Sequence, residues 1–324
     1  MRVLVLGATG FIGGHIARAA AGRGWPVRAA RRREGFTGAI GDLDVEWVRA
    51  DLTDPDSLVT AMRGVDVVFH AAARYVHTAR HVERRVAEAR SEMRRVLDAL
   101  KQSGAQRMVY TSTLTTIGPA INPGHPADER AGYVPGSADD AYHELKWAME
   151  QEALRDGFPV VALCPTVVFG PGDVHLSISG PLLEIARGRV KFGVDAIVNV
   201  IDVRDVAAAH VAAAERGRAG ERYILGGHNL SITDLVAQTA QVACVAPPNW
   251  RVPNALLTAL GGLSRWLPGD PAAMLRSRHL LQPLSNAKAV AELGLSPRPL
   301  AATLTDALDW FRQNGQFTPA ARMV

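Results

Sequence analysis

Tyr142 and Lys146 stand four residues apart in the run Tyr142-His-Glu-Leu-Lys146. On a helix that spacing stacks a phenol and an ammonium on one face. A phenol works as an acid or base only when its pKa falls, and a fixed neighbouring cation favours the phenolate. The pair therefore suits proton transfer to or from a carbonyl or carbinol oxygen. A hydroxyl beside it would hold that oxygen and polarise the carbonyl. Thr113 or Ser112, at the carboxyl end of an apolar run, is placed to supply it. Five tyrosines and four lysines in 324 residues give only ~0.06 such pairs by chance, so the spacing is informative.

A second chemical signature is Gly7-Ala-Thr-Gly10-Phe-Ile-Gly13. It follows an apolar strand directly and opens a helical stretch. The backbone N–H groups around Thr9, Gly10, Phe11, Ile12 and Gly13 can then face a pyrophosphate at a helix N-terminus. Spacing alone is weak, because 30 glycines give about a quarter of an occurrence by chance. Gly35-Phe-Thr-Gly38-Ala-Ile-Gly41 repeats the spacing without a preceding strand, and reads as a loop. At the end of the second strand the chain runs Val27-Arg-Ala-Ala30-Arg31-Arg32-Arg33, with no acid before Glu34. An acid there would bind the ribose hydroxyls of NAD(H). Guanidinium groups suit a 2′-phosphate instead. The preferred cofactor is therefore NADP(H), with NAD(H) as the alternative, and Arg31 and Arg32 are the residues expected at the phosphate.

Those groups need a scaffold. Strands are predicted at Arg2–Leu6, Pro26–Ala30, Val45–Ala50, Val65–His70, Arg107–Ser112 and Val160–Leu163. Helices are predicted at Ile12–Arg23, at Pro55–Met62 behind an Asp54 or Thr53 cap, in a long stretch ending near Ser103-Gly104, and at Tyr142–Arg155. Strands alternating with helices imply an α/β fold, a Rossmann-type doubly wound parallel sheet with helices on both faces. Beyond about residue 170 helices predominate, with one later strand at Arg222–Leu225. The expected organisation is a cofactor-binding unit over 1–168, joined by about 198–226. A smaller, mostly helical substrate lobe takes 169–197 and 227–324.

Composition narrows the classes. A hydrophobic content of 48% and a charged content of 21% fit an ordinary globular protein. Cys164 and Cys244 have no metal-ligand spacing, and no leader-like run precedes the first strand, so a reducing, cytoplasmic setting is expected. No apolar stretch reaches the length of a membrane span. The net charge of +4 comes from scattered arginines, and the dense run Arg80–Arg95 is interleaved with Glu83, Glu88 and Glu92. This reads as a solvated helix face, not a nucleic-acid site. His77, His81, His175, His210 and His279 are not read as a ligand cluster, so no metal is assigned. His70 is expected to order the neighbouring loop. Asp139 and Asp140 read as caps of the tyrosine helix.

Together these motifs make the chain resemble an extended short-chain dehydrogenase/reductase of the NAD(P)-dependent epimerase/dehydratase group, over almost its whole length. Gly220-Glu-Arg-Tyr-Ile-Leu-Gly-Gly227, Ser285-Asn-Ala-Lys288, Glu292-Leu-Gly294 and Asp309-Trp-Phe311 are most similar to dihydroflavonol-reductase-like and hopanoid-associated epimerase-like members. The resemblance implies adenine contacts from Asp51 and Leu52, and a ribose-side wall from Ala71, Ala72 and Ala73. It implies a hydroxyl segment Tyr110-Thr111-Ser112-Thr113 with Thr113 the active position. Lys146 would also bond the nicotinamide ribose, and Pro165 to Val168 would close over the nicotinamide. Tyr75, Thr113 and Leu114 are expected to border the substrate, and the assembly is expected to be a homodimer.

Two departures from the pattern stand out. The long helix reads Ala87-Glu-Ala-Arg-Ser-Glu-Met93 where such proteins commonly carry an asparagine, and a usual histidine is replaced in Asp202-Val-Arg-Asp-Val206. The leading expectation is hydride transfer between nicotinamide and an apolar or lipid-like ketone or secondary alcohol. A nucleotide-sugar epimerase or dehydratase with tightly held cofactor is the alternative. A non-catalytic NADP(H) sensor is the reading from a different class, and it usually loses the tyrosine-lysine pair.

Overall fold

The computed structural model describes residues 1–72, 81–138, 141–176, 178–190, 192–194, 196–248, 250–252 and 281–317. Among them the strands are β1 (Val3–Leu6), β2 (Val27–Arg31), β3 (Glu46–Arg49), β4 (Val67–His70), β5 (Arg107–Thr111), β6 (Val160–Pro165), β7 (Val167–Phe169), β8 (Phe192–Val194), β9 (Ile197–Asp202), β10 (Arg222–Leu225), β11 (His228–Ser231) and β12 (Trp250–Val252). The helices are α1 (Phe11–Gly22), α2 (Pro55–Met62), α3 (Val82–Ser103), α4 (Ala141–Arg155), α5 (Gly180–Ala186), α6 (Val203–Arg216), α7 (Ile232–Val242), α8 (Ala287–Leu293) and α9 (Leu300–Gln313).

Seven strands form one parallel sheet in the order β10-β6-β5-β4-β1-β2-β3. Alternation explains why it is covered on both sides. Val3 and Val5 of β1 belong to a core shared with α1 and α6, while Leu4 and Leu6 belong to one shared with α2, α3 and α4. Burying such a side chain contributes roughly 1.5–3 kcal/mol, so a one-residue slip would forfeit both faces. β1 lies between β2 and β4, where the winding direction reverses. Its carboxyl end therefore opens onto the crevice in which doubly wound sheets bind ligands.

The local signals act as read. Asp54 caps α2, accepting from the Ser57 N–H at 3.2 Å. Gly24 (φ +78°) follows α1, and Gly104 (φ +81°) ends α3. The single strand expected after residue 170 is corrected by the structure. β9 pairs with β7 and β11 in a second, three-stranded sheet, and β8 pairs with β12. These strands are only three to six residues long. β9 also carries a buried Asn199, which breaks an apolar pattern yet is satisfied by the Gly227 N–H at 2.9 Å and by Asn229 at 2.8 Å. Such strands exist through distant pairing, which periodicity does not register. Among the described residues no helix is long and apolar enough to cross a membrane.

Candidate active site

The turn after β1 is built by excluding side chains. Gly7 has φ +87°, and a Cβ on it would lie 2.7 Å from the Ala72 nitrogen and 2.8 Å from the Ala71 carbonyl carbon. A Cβ on Gly13 would lie 2.1 Å from the Gly7 oxygen. β1 and β4 also meet here through the Ala71 N–H, which donates to the Leu6 carbonyl at 2.9 Å. The glycine loop and Ala71-Ala72 are thus one surface. α1 starts behind Gly10 with no side-chain cap, so its first N–H groups are left for a ligand. This bare, uncapped cradle fits a dinucleotide pyrophosphate. Phe11 and Ile12 pack partly on the core beneath, and Thr9 abuts Gly38, whose Cβ would lie 2.4 Å from the Thr9 oxygen. The second glycine run is therefore a turn packed against the first.

Near the start of β2, Arg28 is committed to the fold. It donates to the Ala61 and Arg63 carbonyls at 2.7 and 2.9 Å, at the carboxyl end of α2. Arg31 lies with its guanidinium 5.0 Å from the Trp47 ring centre, while Arg32 and Arg33 are exposed. Asp51 accepts from the Thr53 N–H at 2.9 Å and hydroxyl at 2.8 Å, shaping the turn before α2. The Leu52 carbonyl accepts from Arg95 of α3 at 2.8 Å.

Tyr142 and Lys146 sit on the same side of α4 and line a cavity of about 370 Å³ between α4 and α3. Arg84, Arg85, Glu88, Ala89 and Glu92 form its other wall. The α3 face read as merely solvated is exposed, with Arg84 and Glu88 paired at 2.9 Å, but it also lines the approach to the tyrosine and lysine. The Ala87–Met93 stretch that lacks the asparagine contributes Glu88, Ala89 and Glu92 to this wall. Lys146 is 5% exposed. Its Nζ donates to the Tyr110 hydroxyl and to the Thr111 carbonyl, each at 3.2 Å. Burial lowers its pKa to about 8, with the charge of Glu150 opposing the fall.

Side chains at the end of β5 alternate between the two faces. Thr111 points toward α6, where its hydroxyl meets His210 Nε2 at 2.8 Å. Ser112 points toward α4 and donates to Glu150. Thr113 follows, capping a short turn over Leu114–Thr116 by accepting from the Thr115 N–H at 3.4 Å. Leu114 packs on the cluster of Ile117, Ala127 and Leu284. Pro165 ends β6, and Val168 is buried in the core below the sheet's carboxyl edge. Ala73 and Tyr75, and the caps expected at Asp139 and Asp140, lie outside the described residues.

The sequence reading gave His70 only a loop-ordering role and Tyr110 only a place in the hydroxyl segment, and their packing was not foreseen. His70 is fully buried, its ring 5.5 Å from that of Tyr110, and neither ring nitrogen has a hydrogen-bond partner among the described residues. Burial, then the charge of Lys146, pushes its pKa down to about 3. Glu150 and Arg222 were not singled out. Glu150 had a signal, being one further turn along the tyrosine-lysine face. Arg222 had none, since only the chain's return as β10 brings it there. The acids of Asp202-Val-Arg-Asp205 prove to be anchors. Asp202 caps α6 and accepts from Thr303 of α9 at 2.8 Å, and Asp205 accepts from the Arg298 N–H at 2.7 Å.

A doubly wound sheet with a glycine cradle at its switch point defines a nicotinamide-dinucleotide-binding protein of the Rossmann class. The family model described as the NAD dependent epimerase/dehydratase family matches residues 3–226, and the chain belongs to that family. A protein of Synechocystis sp. named "Putative dihydroflavonol 4-reductase" is 32% identical, over 96% of this chain and 94% of its own length. Sterol demethylase protein B of Methylococcus capsulatus is 29% identical, over 97% of this chain and 99% of its own. A solved structure named as a nucleoside-diphosphate-sugar epimerase from Pseudomonas aeruginosa is 31% identical, with a TM-score of 0.84 over 98% of this chain and 99% of that one.

Proposed function

We propose that the protein is an NADP(H)-dependent oxidoreductase that interconverts a ketone and a secondary alcohol on an apolar or lipid-like molecule. The observation that carries this reading is the shared wall of Tyr142 and a buried, anchored Lys146. The dinucleotide, when bound, supplies or accepts the hydride. Gly7, Thr9, Gly10, Phe11, Ile12 and Gly13 would hold its pyrophosphate, and Ala71, Ala72 and Ala73 would border a ribose. Asp51 and Leu52 would meet the adenine, with Thr111, Pro165 and Val168 on the nicotinamide side and Lys146 at the nicotinamide ribose. Arg31 and Arg32 would take the 2′-phosphate by charge-assisted hydrogen bonds.

Proton movement is the work of the chain's own residues. Lys146, held by two fixed oxygens, presents a cation that lowers the energy of a Tyr142 phenolate. Tyr142 then gives a proton to the substrate oxygen in reduction and removes it in oxidation. Thr113 is the better hydroxyl partner, because the Ser112 O–H is used on Glu150. Thr113 accepts through its oxygen and has no acceptor for its O–H among the described residues. Leu114 and Tyr75 would border the substrate. We assign 1–168 with about 198–226 to the cofactor, the remainder to the substrate side, and a homodimer to the assembly.

The reductase name of the Synechocystis relative supports this reading. The name of the Pseudomonas relative favours a second one, a sugar-nucleotide epimerase. A panel of ketones with NADPH separates them. A reductase consumes NADPH mole for mole with product and binds it at least about tenfold tighter than NADH. Arg32→Ala should narrow that ratio. Equal affinity for the two dinucleotides would remove the NADP(H) assignment, and epimerisation of a nucleotide sugar without net NADPH oxidation would replace the reductase reading.

A further inference from the structure

Glu150 is fully buried, one helical turn beyond Lys146 and two beyond Tyr142. A buried carboxylate is costly unless its oxygens are occupied, and these are. Oε2 accepts from the Ser112 hydroxyl, from the Thr116 hydroxyl at 2.8 Å and from the Cys164 thiol at 3.5 Å. Oε1 faces the Arg222 Nε at 2.9 Å, a charge contact too oblique for a hydrogen bond. Arg222 in turn donates to the Thr116 carbonyl at 2.7 Å and hydroxyl at 3.0 Å, and lies 5.6 Å from the Trp147 ring centre. One carboxylate thus joins α4, the Ser112–Thr116 segment, β6 and β10. None of these contacts is consumed by the proton chemistry above.

Resting on that reading of the site, we propose that Glu150 is a positioning residue for catalysis. Its carboxylate sets the charge of Lys146 from the same helix and fixes Thr113 by gripping Ser112 and Thr116 on either side of it. A merely structural ion pair would do neither. The groups around Lys146 on every packed element bear this out. From β5 comes the Tyr110 phenol, its pKa raised by burial; from β4 His70, which burial keeps neutral; from β6 the Cys164 thiol, pushed by burial to about 12. Tyr142 shares its helix, and α3 contributes Arg84, Arg85, Glu88 and Glu92 across the open cavity. Arg222 of β10 lies beyond Glu150. Glu150 is therefore the buried negative charge that counters the desolvation of the lysine.

Competitive acetylation with acetic anhydride from pH 6 to 10, read at each lysine by mass spectrometry, titrates Lys146 in the intact chain without cofactor or substrate. Exposed Lys101 serves as the reference. Wild type should titrate near 8, and Glu150→Gln about one unit or more lower. Thr116→Val, which keeps the charge but releases one end of the segment, should leave that titration within about 0.3 units. It should still lower turnover about tenfold with the KM for NADPH within threefold. If Glu150→Gln does not fold, Glu150→Gln/Arg222→Met removes both charges together, and its Lys146 should also titrate lower than wild type. An unchanged Lys146 titration in either folded variant overturns the proposal. The acetylation arm stands even if no ketone is reduced, so its failure is distinct from failure of the oxidoreductase reading.

Discussion

The cradle after β1 and the pocket on α4 prepare for ligands in opposite ways. At the cradle the chain withdraws side chains, so that Gly7, Gly13, Ala71 and Ala72 bring bare backbone together. At α4 it buries titratable groups, so that Lys146, Tyr110, His70 and Glu150 share a space from which water is largely removed. The first arrangement offers fixed N–H dipoles, which need no ionisation. The second offers ionisable groups, and each group's charge depends on its neighbours. Substitutions should therefore separate by region. Those at the cradle change affinity and stability, and those at α4 change turnover and pH dependence.

Tyr142→Phe should show the largest effect, a fall in turnover of about 10²–10⁴-fold, while the Kd for NADPH stays within threefold by fluorescence titration. Comparable losses in both quantities would erase the distinction between the regions. Gly13→Ala should act the other way. Its Cβ would be placed 2.1 Å from the Gly7 oxygen, so backbone must move. NADPH affinity should drop about a hundredfold, and urea denaturation should show a loss of roughly 2–4 kcal/mol. Near-normal binding would show that the cradle tolerates a side chain and is misread.

The smallest effect is acid sensitivity. The pKa of His70 is lowered to about 3, and that of His210 to about 4 mainly by burial against the Val206 carbonyl bond. The unfolded chain, with histidines near 6.5, binds more protons than the folded one below that pH. Stability is thus complete above about 6.5 and falls as pH drops toward 4, by up to about tenfold in the folding constant per pH unit for each histidine. His70→Leu should flatten part of that slope in denaturation curves at pH 7, 5.5 and 4.5. An identical slope in the variant would mean that His70 is not held neutral.

Much of the sheet was legible because its signals are local. Val3–Leu6, the glycines after it and the Asp54-Pro55 helix start each lie within a few residues of the structure they specify. The tyrosine and lysine were legible for the same reason, since a helix repeats every 3.6 residues whatever surrounds it. β7, β8, β9, β11 and β12 were not, being short segments defined by pairing partners far along the chain. The α3 wall of the cavity was read from its charges alone, and charge does not say what a face encloses.

The amino-acid sequence by itself determined the cradle, the helix that aligns Tyr142 with Lys146, and the parallel sheet that brings both to one edge. Only the tertiary structure decided that Ser112 is committed to Glu150, that His70 lies beside Tyr110 with no hydrogen-bond partner among the described residues, and that Arg222 returns to meet Glu150 from 72 residues away. The division follows from range. Backbone conformation and helical spacing are set by neighbours in sequence, whereas burial, and with it the pKa of every group in the pocket, is set by whichever segments the fold packs around it.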